Sequence, residues 1–179
     1  MSDKHQFVGR EVGWMISIRA IKQKTEIETV VTLAKAIWNE YFPPIIGQAQ
    51  VDYMVDKYQS IDAITQQIEP GYEYFFIISG ERALGYLAIF QDAKKNSVEL
   101  SKFYVRASER KRGAGNVALS LLERNIIQPE MTKISLRVSK HNENGICAYN
   151  KLGFIKVDEC IVDIGNGFVM DDYIFEKML

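Results

Sequence analysis

The run Arg110-Lys111-Arg112-Gly113-Ala114-Gly115-Asn116 sets three cations and two glycines in one short turn. A strand-like stretch, Val98 to Val105, leads into it, and an apolar helical stretch, Val117-Ala118-Leu119-Ser120-Leu121-Leu122, leads out. A helix that opens at such a turn leaves its first backbone N–H groups outside the helical ladder and carries the positive end of its dipole there. Glycines let a ligand approach the backbone, so the chemistry on offer is the holding of phosphate. On these residues alone the turn also fits an ordinary strand-to-helix connection with a solvated basic face. It is neither G-x-G-x-x-G after a first strand nor a loop ending in Gly-Lys-Ser/Thr, so it matches neither the dinucleotide nor the nucleoside-triphosphate fingerprint.

A second constellation lies downstream. Ile134-Ser135-Leu136-Arg137-Val138 alternates like a strand and is followed by Asn142. Seven residues on comes Tyr149, and then Lys151-Leu152-Gly153-Phe154. Gly153 suits a helix C-terminus that needs a left-handed residue. The pattern Arg-x-x-Gly-x-Gly (Arg110, Gly113, Gly115), followed by strand, Asn, Tyr and Leu-Gly-Phe, resembles the two signatures of the GNAT superfamily, the acyl-CoA-dependent N-acetyltransferases. The resemblance runs from about Ile16 to the C-terminus and is strongest between Glu99 and Phe154.

That resemblance implies acetyl-CoA as acyl donor, with its pyrophosphate on Arg110, Lys111, Arg112, Gly113, Ala114, Gly115 and Asn116. It implies that the backbone of Phe103, Tyr104 and Val105 pairs with the pantetheine arm, an N–H near Val105 serving as oxyanion donor. Tyr149 matches the family tyrosine that protonates the departing thiolate, and Asn142 is assigned to CoA contact. Glu99, six residues before Val105, stands where several family members keep a glutamate that receives the amine proton. Strand alternation would put Glu99, Ser101, Phe103 and Val105 on one face. The residues alone leave alternatives: Tyr149 as a packing ring, Asn142 as a helix cap, Glu99 as an exposed strand carboxylate, His141 as a substitute base. Cys147 has no histidine-plus-acid arrangement that would make it a nucleophile.

Positioning these groups requires a particular order of elements. Ile16 to Ile21 alternates like a strand, and Thr25-Glu26-Ile27-Glu28 has capping-box spacing for a helix through about Glu40, stopped by Pro43-Pro44. Shorter helices are expected at Val51 to Tyr58 and Ile61 to Ile68, ended by Pro70-Gly71. Tyr72 to Ser79 and Ala83 to Gln91 read as a hairpin around Gly80-Glu81, with a closing hairpin over Ile155 to Ile164 and Phe168 to Met178. The expected fold is a single α/β domain over 15–179: a GNAT-like mixed, mostly antiparallel sheet of about seven strands, splayed at the CoA site, with helices on both faces. Residues 1–14 show no period and are expected to be an extension.

The acceptor site should come from the N-terminal helices and the closing hairpin. Its candidates are Trp38, Tyr41, Phe42, Tyr53, Tyr58, Tyr72 and Tyr74, with Asp171, Asp172 and Tyr173. Aromatics and carboxylates suit a cationic, polyamine-like or amino-group substrate, although paired aspartates at a strand end are usually solvated. The 179 residues, 47% hydrophobic, suffice for one substantial core. A net charge of −1 argues against nucleic acid or a membrane surface as partner, despite the cations of the turn. No apolar run is long enough to span a bilayer. Cys147 and Cys160 have neither metal-ligand nor disulfide spacing, so no metal is expected, and a cytoplasmic location is the default. The resemblance implies acetyl transfer to a small-molecule or peptide amine by a homodimer, the alternative being an acyl-CoA-binding domain without turnover.

Overall fold

The computed structural model describes residues 6–11 and 14–179 and builds them on an eight-stranded sheet. The strands are β1 (Gln6–Glu11), β2 (Trp14–Ala20), β3 (Glu73–Ser79), β4 (Arg82–Asp92), β5 (Ser97–Val105), β6 (Lys133–Ser139), β7 (Ile155–Gly165) and β8 (Phe168–Met178). Their spatial order is β1-β2-β3-β4-β5-β6-β8-β7, antiparallel throughout except for β5 against β6. The helices are α1 (Lys24–Tyr41), α2 (Pro43–Ile46), α3 (Gln48–Gln59), α4 (Ile61–Ile68), α5 (Ala114–Asn125) and α6 (Glu143–Lys151). Among the described residues no helix is long and apolar enough to cross a membrane.

The sheet is covered on both faces because its central strands are apolar on both. One face carries Phe75, Leu87, Leu100, Leu136 and Phe175 under Val117, Ala118 and Leu121 of α5, with Tyr149 and Leu152 of α6 at its margin. The other carries Tyr74, Phe76, Tyr86 and Ala88 under Val30, Leu33 and Ile37 of α1 and Ile64 of α4. A third cluster joins Trp38 and Phe42 to Val51, Met54 and Val55 of α3 and Ile164 of β7.

Three details differ from the expectation. The eighth strand is β1, inside the stretch expected as an extension; it pairs along β2 from Gln6 opposite Arg19 to Glu11 opposite Trp14. An edge strand has one neighbour and needs no sustained alternation, so its pattern is faint. Residues 1–5 and 12–13 of that stretch lie outside the described residues. The cap of α1 sits earlier than Thr25: the Glu26 carboxylate accepts from the N–H groups of Lys22 (2.8 Å) and Gln23 (3.0 Å) and pairs with Arg19. Burial would raise the Glu26 pKa, but those donors together hold it below the usual value. Finally, Pro43-Pro44 end α1 and also open α2, since a proline fits the first turn, where no N–H is needed.

Candidate active site

The pairing of β5 makes an opening. β5 runs beside β6 only over Ser97, Val98 and Glu99, opposite Lys133, Ile134 and Ser135, and then diverges. On its other edge it stays with β4 as far as Val105 opposite Gly85. The Arg106 N–H donates to the Leu84 carbonyl at 2.8 Å. Backbone alternation then turns Tyr104 toward its partner Tyr86 and turns the N–H and C=O groups of Phe103 and Val105 toward the gap. Of the three residues expected to meet a pantetheine arm through the backbone, Phe103 and Val105 face the opening and Tyr104 does not. Gly85 allows the close approach on the paired edge, because a Cβ there would stand 2.1 Å from the Tyr104 carbonyl oxygen.

A register shift between Ala88 and Ile89 leaves Ser101 bulged out of the β4–β5 ladder. The bulge reverses the alternation. Phe103 and Val105 pack with Leu100 on the α5 face, while Glu99, opposite Phe90, shares the other face with Lys102 and Tyr104, opposite Ala88 and Tyr86. Glu99 therefore does not share a face with Phe103 and Val105, and the inserted residue is the reason. It accepts a hydrogen bond from the Tyr72 hydroxyl at 3.2 Å. Beside it burial pushes the Lys102 amine down to about 8; the Glu99 charge opposes that shift and Arg137 adds to it.

At the end of β5 the chain makes a 3-10 turn, Ala107–Glu109, and then the basic loop. Gly113 caps α5 with φ of 82° and Lys111 has φ of 59°, so the loop is coiled back on itself. The first helical bond runs from the Val117 N–H to the Gly113 carbonyl, leaving the amides of Ala114 and Gly115 outside the ladder. The cations are sorted. The Arg112 guanidinium reaches back to Glu109 (3.3 Å), a buried carboxylate that also holds Arg82 (2.9 Å). Arg110 donates from Nε to the Val105 carbonyl at 2.9 Å and lies over the Tyr41 ring, 4.1 Å from its centroid. Lys111 is exposed.

Tyr41, the last residue of α1, also donates its hydroxyl to Asn142 Oδ1 at 2.6 Å. The same oxygen accepts from the Gly145 N–H at 3.0 Å and caps α6. Asn142 thus has the capping role and keeps its amide NH2 for another partner. Two turns along α6, Tyr149 packs edge-on to Phe154 with ring centroids 5.8 Å apart. Burial pushes the Tyr149 phenol well up, and nearby Tyr41 adds to the shift. Gly153 has φ of 89°, as its place after α6 requires.

Behind the opening, on the α1 face, lies a cavity of about 380 Å³. Its apolar wall is Trp38, Phe42, Ile45, Ile46, Met54, Tyr104 and Met170; Tyr149, Asn142, His141, Arg137 and Asp172 supply the polar groups. Of the aromatics expected to line an acceptor site, Trp38 and Phe42 do so. Tyr74 and Tyr58 do not; Tyr74 is buried and bonded to Gln67 at 2.6 Å. Glu99 is set back from this wall. Asp172 is not a solvated strand end: it is 3% exposed, and its Oδ2 has no hydrogen-bond partner among the described residues. Its neighbour Asp171 also lines the cavity, and Lys140 pairs with it at 2.7 Å. Arg137 stood in the sequence as one residue of an alternating strand, with nothing local to mark it.

The model of the Acetyltransferase (GNAT) family matches residues 31–154. No protein with a curated description matches the chain. Among solved structures, PaiA N-acetyltransferase from Thermoplasma acidophilum in complex with coenzyme A superposes with a TM-score of 0.76 at 20% identity, over 92% of this chain and 99% of that one. A GCN5-related N-acetyltransferase from Rhodopseudomonas palustris gives 0.77 at 13% identity, over 96% and 100%. Spermidine N-acetyltransferase from Vibrio cholerae, in complex with CoA and spermine, gives 0.67 at 14%, over 91% and 95%. At these identities the likenesses establish the fold.

Proposed function

The chain belongs to the Acetyltransferase (GNAT) family, and from that premise we propose that it is an N-acetyltransferase moving the acetyl group of acetyl-CoA to a primary amine by direct attack. The observation that carries the reading is the divergence of β5 from β6, with the α5 N-terminus at one end of the gap and Tyr149 at its wall. The pyrophosphate is held by the loop Arg110 to Asn116, on the amides of Ala114 and Gly115 and the Lys111 and Arg112 side chains. Arg110 sets the loop against Val105 and Tyr41. The pantetheine arm pairs with the backbone of Phe103 and Val105, and Asn142 contacts CoA through its free amide.

The acceptor arrives as an ammonium and first gives one proton to water, with Glu99 as the carboxylate that draws it away. The neutral amine attacks the thioester carbonyl, and the Val105 N–H donates to the oxyanion. One such preorganised donor is worth about 3 kcal/mol. As the tetrahedral intermediate collapses the C–S bond breaks, and Tyr149 gives its proton to the thiolate. The nitrogen's remaining surplus proton returns to the phenolate through water, so the products are amide, CoA thiol and one proton. Burial that raises the phenol pKa also disfavours a bare thiolate in the same place, so the transfer stays matched.

A second copy of the chain is the proposed partner. Ile155, Val157 and Ile161 lie exposed on β7, an edge strand whose free side is open to pairing.

Calorimetric titration with acetyl-CoA, beside CoA and a Gly113→Glu variant, tests the reading. Saturable binding is expected from the parent and not from the variant, whose carboxylate would occupy the phosphate position on a left-handed residue. Absence of binding by the parent would overturn it.

A further inference from the structure

The cavity wall holds two opposite charges, Asp172 and Arg137, that have no hydrogen-bond or ion-pair partner among the described residues. Asp172 sits on β8 opposite Ser139 of β6, and Arg137 lies two residues before Ser139 on the same face. That diagonal corresponds to about 7–8 Å between backbone positions. The Asp172 carboxylate is buried with an unpartnered oxygen, which costs free energy unless a ligand supplies a donor. Arg137 makes no hydrogen bond or ion pair among the described residues, although its charge reaches Asp172. The neighbouring charges cancel as two cations against two carboxylates: Lys140 pairs with Asp171 at 2.7 Å and Glu159 at 3.3 Å, and Lys156 pairs with Glu159 at 3.0 Å. Under α1 and α3 the wall is apolar, with Trp38, Phe42, Ile45, Met54 and Met170, while Asn142, His141 and Tyr149 stand on the α6 side.

Resting on the acetyltransferase reading of this same site, we infer that the acceptor is an α-amino acid with an apolar side chain. Its ammonium donates to Asp172, its carboxylate accepts from Arg137, and its side chain fills the pocket under α1 and α3. The charge balance separates this from a polyamine: Asp171 is already paired with Lys140, so several cations would meet one available carboxylate, Asp172, and an unpaired guanidinium. A simple alkylamine would leave Arg137 without its anion. An acceptor carrying both groups about one α-carbon satisfies both side chains at once.

The test compares L-phenylalanine, L-methionine and L-leucine, each beside its decarboxylated amine, and spermidine, following thiol release from acetyl-CoA. For at least one pair the amino acid should exceed its amine by at least about tenfold in kcat/KM, as loss of one charged hydrogen-bonding group predicts. Arg137→Met should bring the pair within about threefold of each other, and Arg137→Lys should recover part of the difference. Arg137 is exposed, so neither change opens a void in the core. Amines or spermidine matching the amino acids, or a ratio untouched in Arg137→Met, would overturn the inference. Calorimetry on the CoA-loaded protein separates the two readings. Amino-acid binding that depends on Arg137, without turnover, would sustain the pocket and overturn the transferase. Turnover of amines alone would sustain the transferase and overturn the pocket.

Discussion

Replacing Tyr149 with phenylalanine removes one proton donor and leaves the ring. The ring is what packs, edge-on against Phe154, so the variant should fold and bind acetyl-CoA within about twofold of the parent. General acid catalysis by a positioned group contributes about 10²–10⁴-fold, or about 3–5 kcal/mol of barrier. Two neighbours are ruled out as substitutes: the Tyr41 hydroxyl already donates to Asn142 Oδ1 and Cys147 is exposed. We therefore expect a loss of about 10³-fold in kcat, measured by single-turnover thiol release with a saturating amine. The pH profile gives a second reading. Burial raises the Tyr149 pKa above its ordinary value near 10, so the acid form persists through the alkaline range. In the parent, kcat should rise with pH as the ammonium is lost and should show no alkaline decline below about pH 10. A variant within about threefold of the parent would refute the assignment of the acid. A fall in rate matched by a fall in acetyl-CoA affinity would refute the reasoning that only a proton was removed.

Two further changes test the frame around the site. Gly85→Ala would drive a Cβ to 2.1 Å from the Tyr104 carbonyl oxygen, so β4 and β5 must separate there; we expect a loss of about 2–3 kcal/mol in chemical denaturation, with weakened acetyl-CoA binding. A stability unchanged within about 0.5 kcal/mol would mean that the strands absorb the methyl without moving. Ile161 is 70% exposed on β7, and Ile161→Asp should convert a dimeric parent into a monomer by light scattering, with its helix and sheet content kept; a variant that remains dimeric would move the interface elsewhere.

The parts legible in the sequence are those governed by near neighbours along the chain. Gly113 before an apolar helix and Gly153 after another are short-range requirements of backbone geometry, and both have the positive φ that their places imply. The hairpin strands Glu73–Ser79 and Arg82–Asp92 follow from alternation around Gly80-Glu81. Helix α4 occupies Ile61–Ile68, bounded by a serine cap and by Pro70-Gly71.

The parts not legible depend on pairing between distant segments. The Ser101 bulge exists only in relation to β4, yet it carries Glu99 to the other face from Phe103 and Val105. β1 shows little in its own residues, because an edge strand is defined by the neighbour it joins. Tyr41, Arg110 and Asn142 meet across the whole domain, and their meeting decides that one arginine of the basic loop faces a ring and a carbonyl.

By itself, then, the sequence determined the order of elements from β2 onward, the glycine-containing basic turn before α5 and the tyrosine seven residues beyond Asn142, because period, capping and glycine geometry act over a few residues. Tertiary structure alone decided that β5 parts from β6, that Asp172 is buried without a hydrogen-bond partner among the described residues, and that Arg137 shares its cavity. Register and burial arise between strands far apart in the chain, and no local pattern encodes which charge will face which.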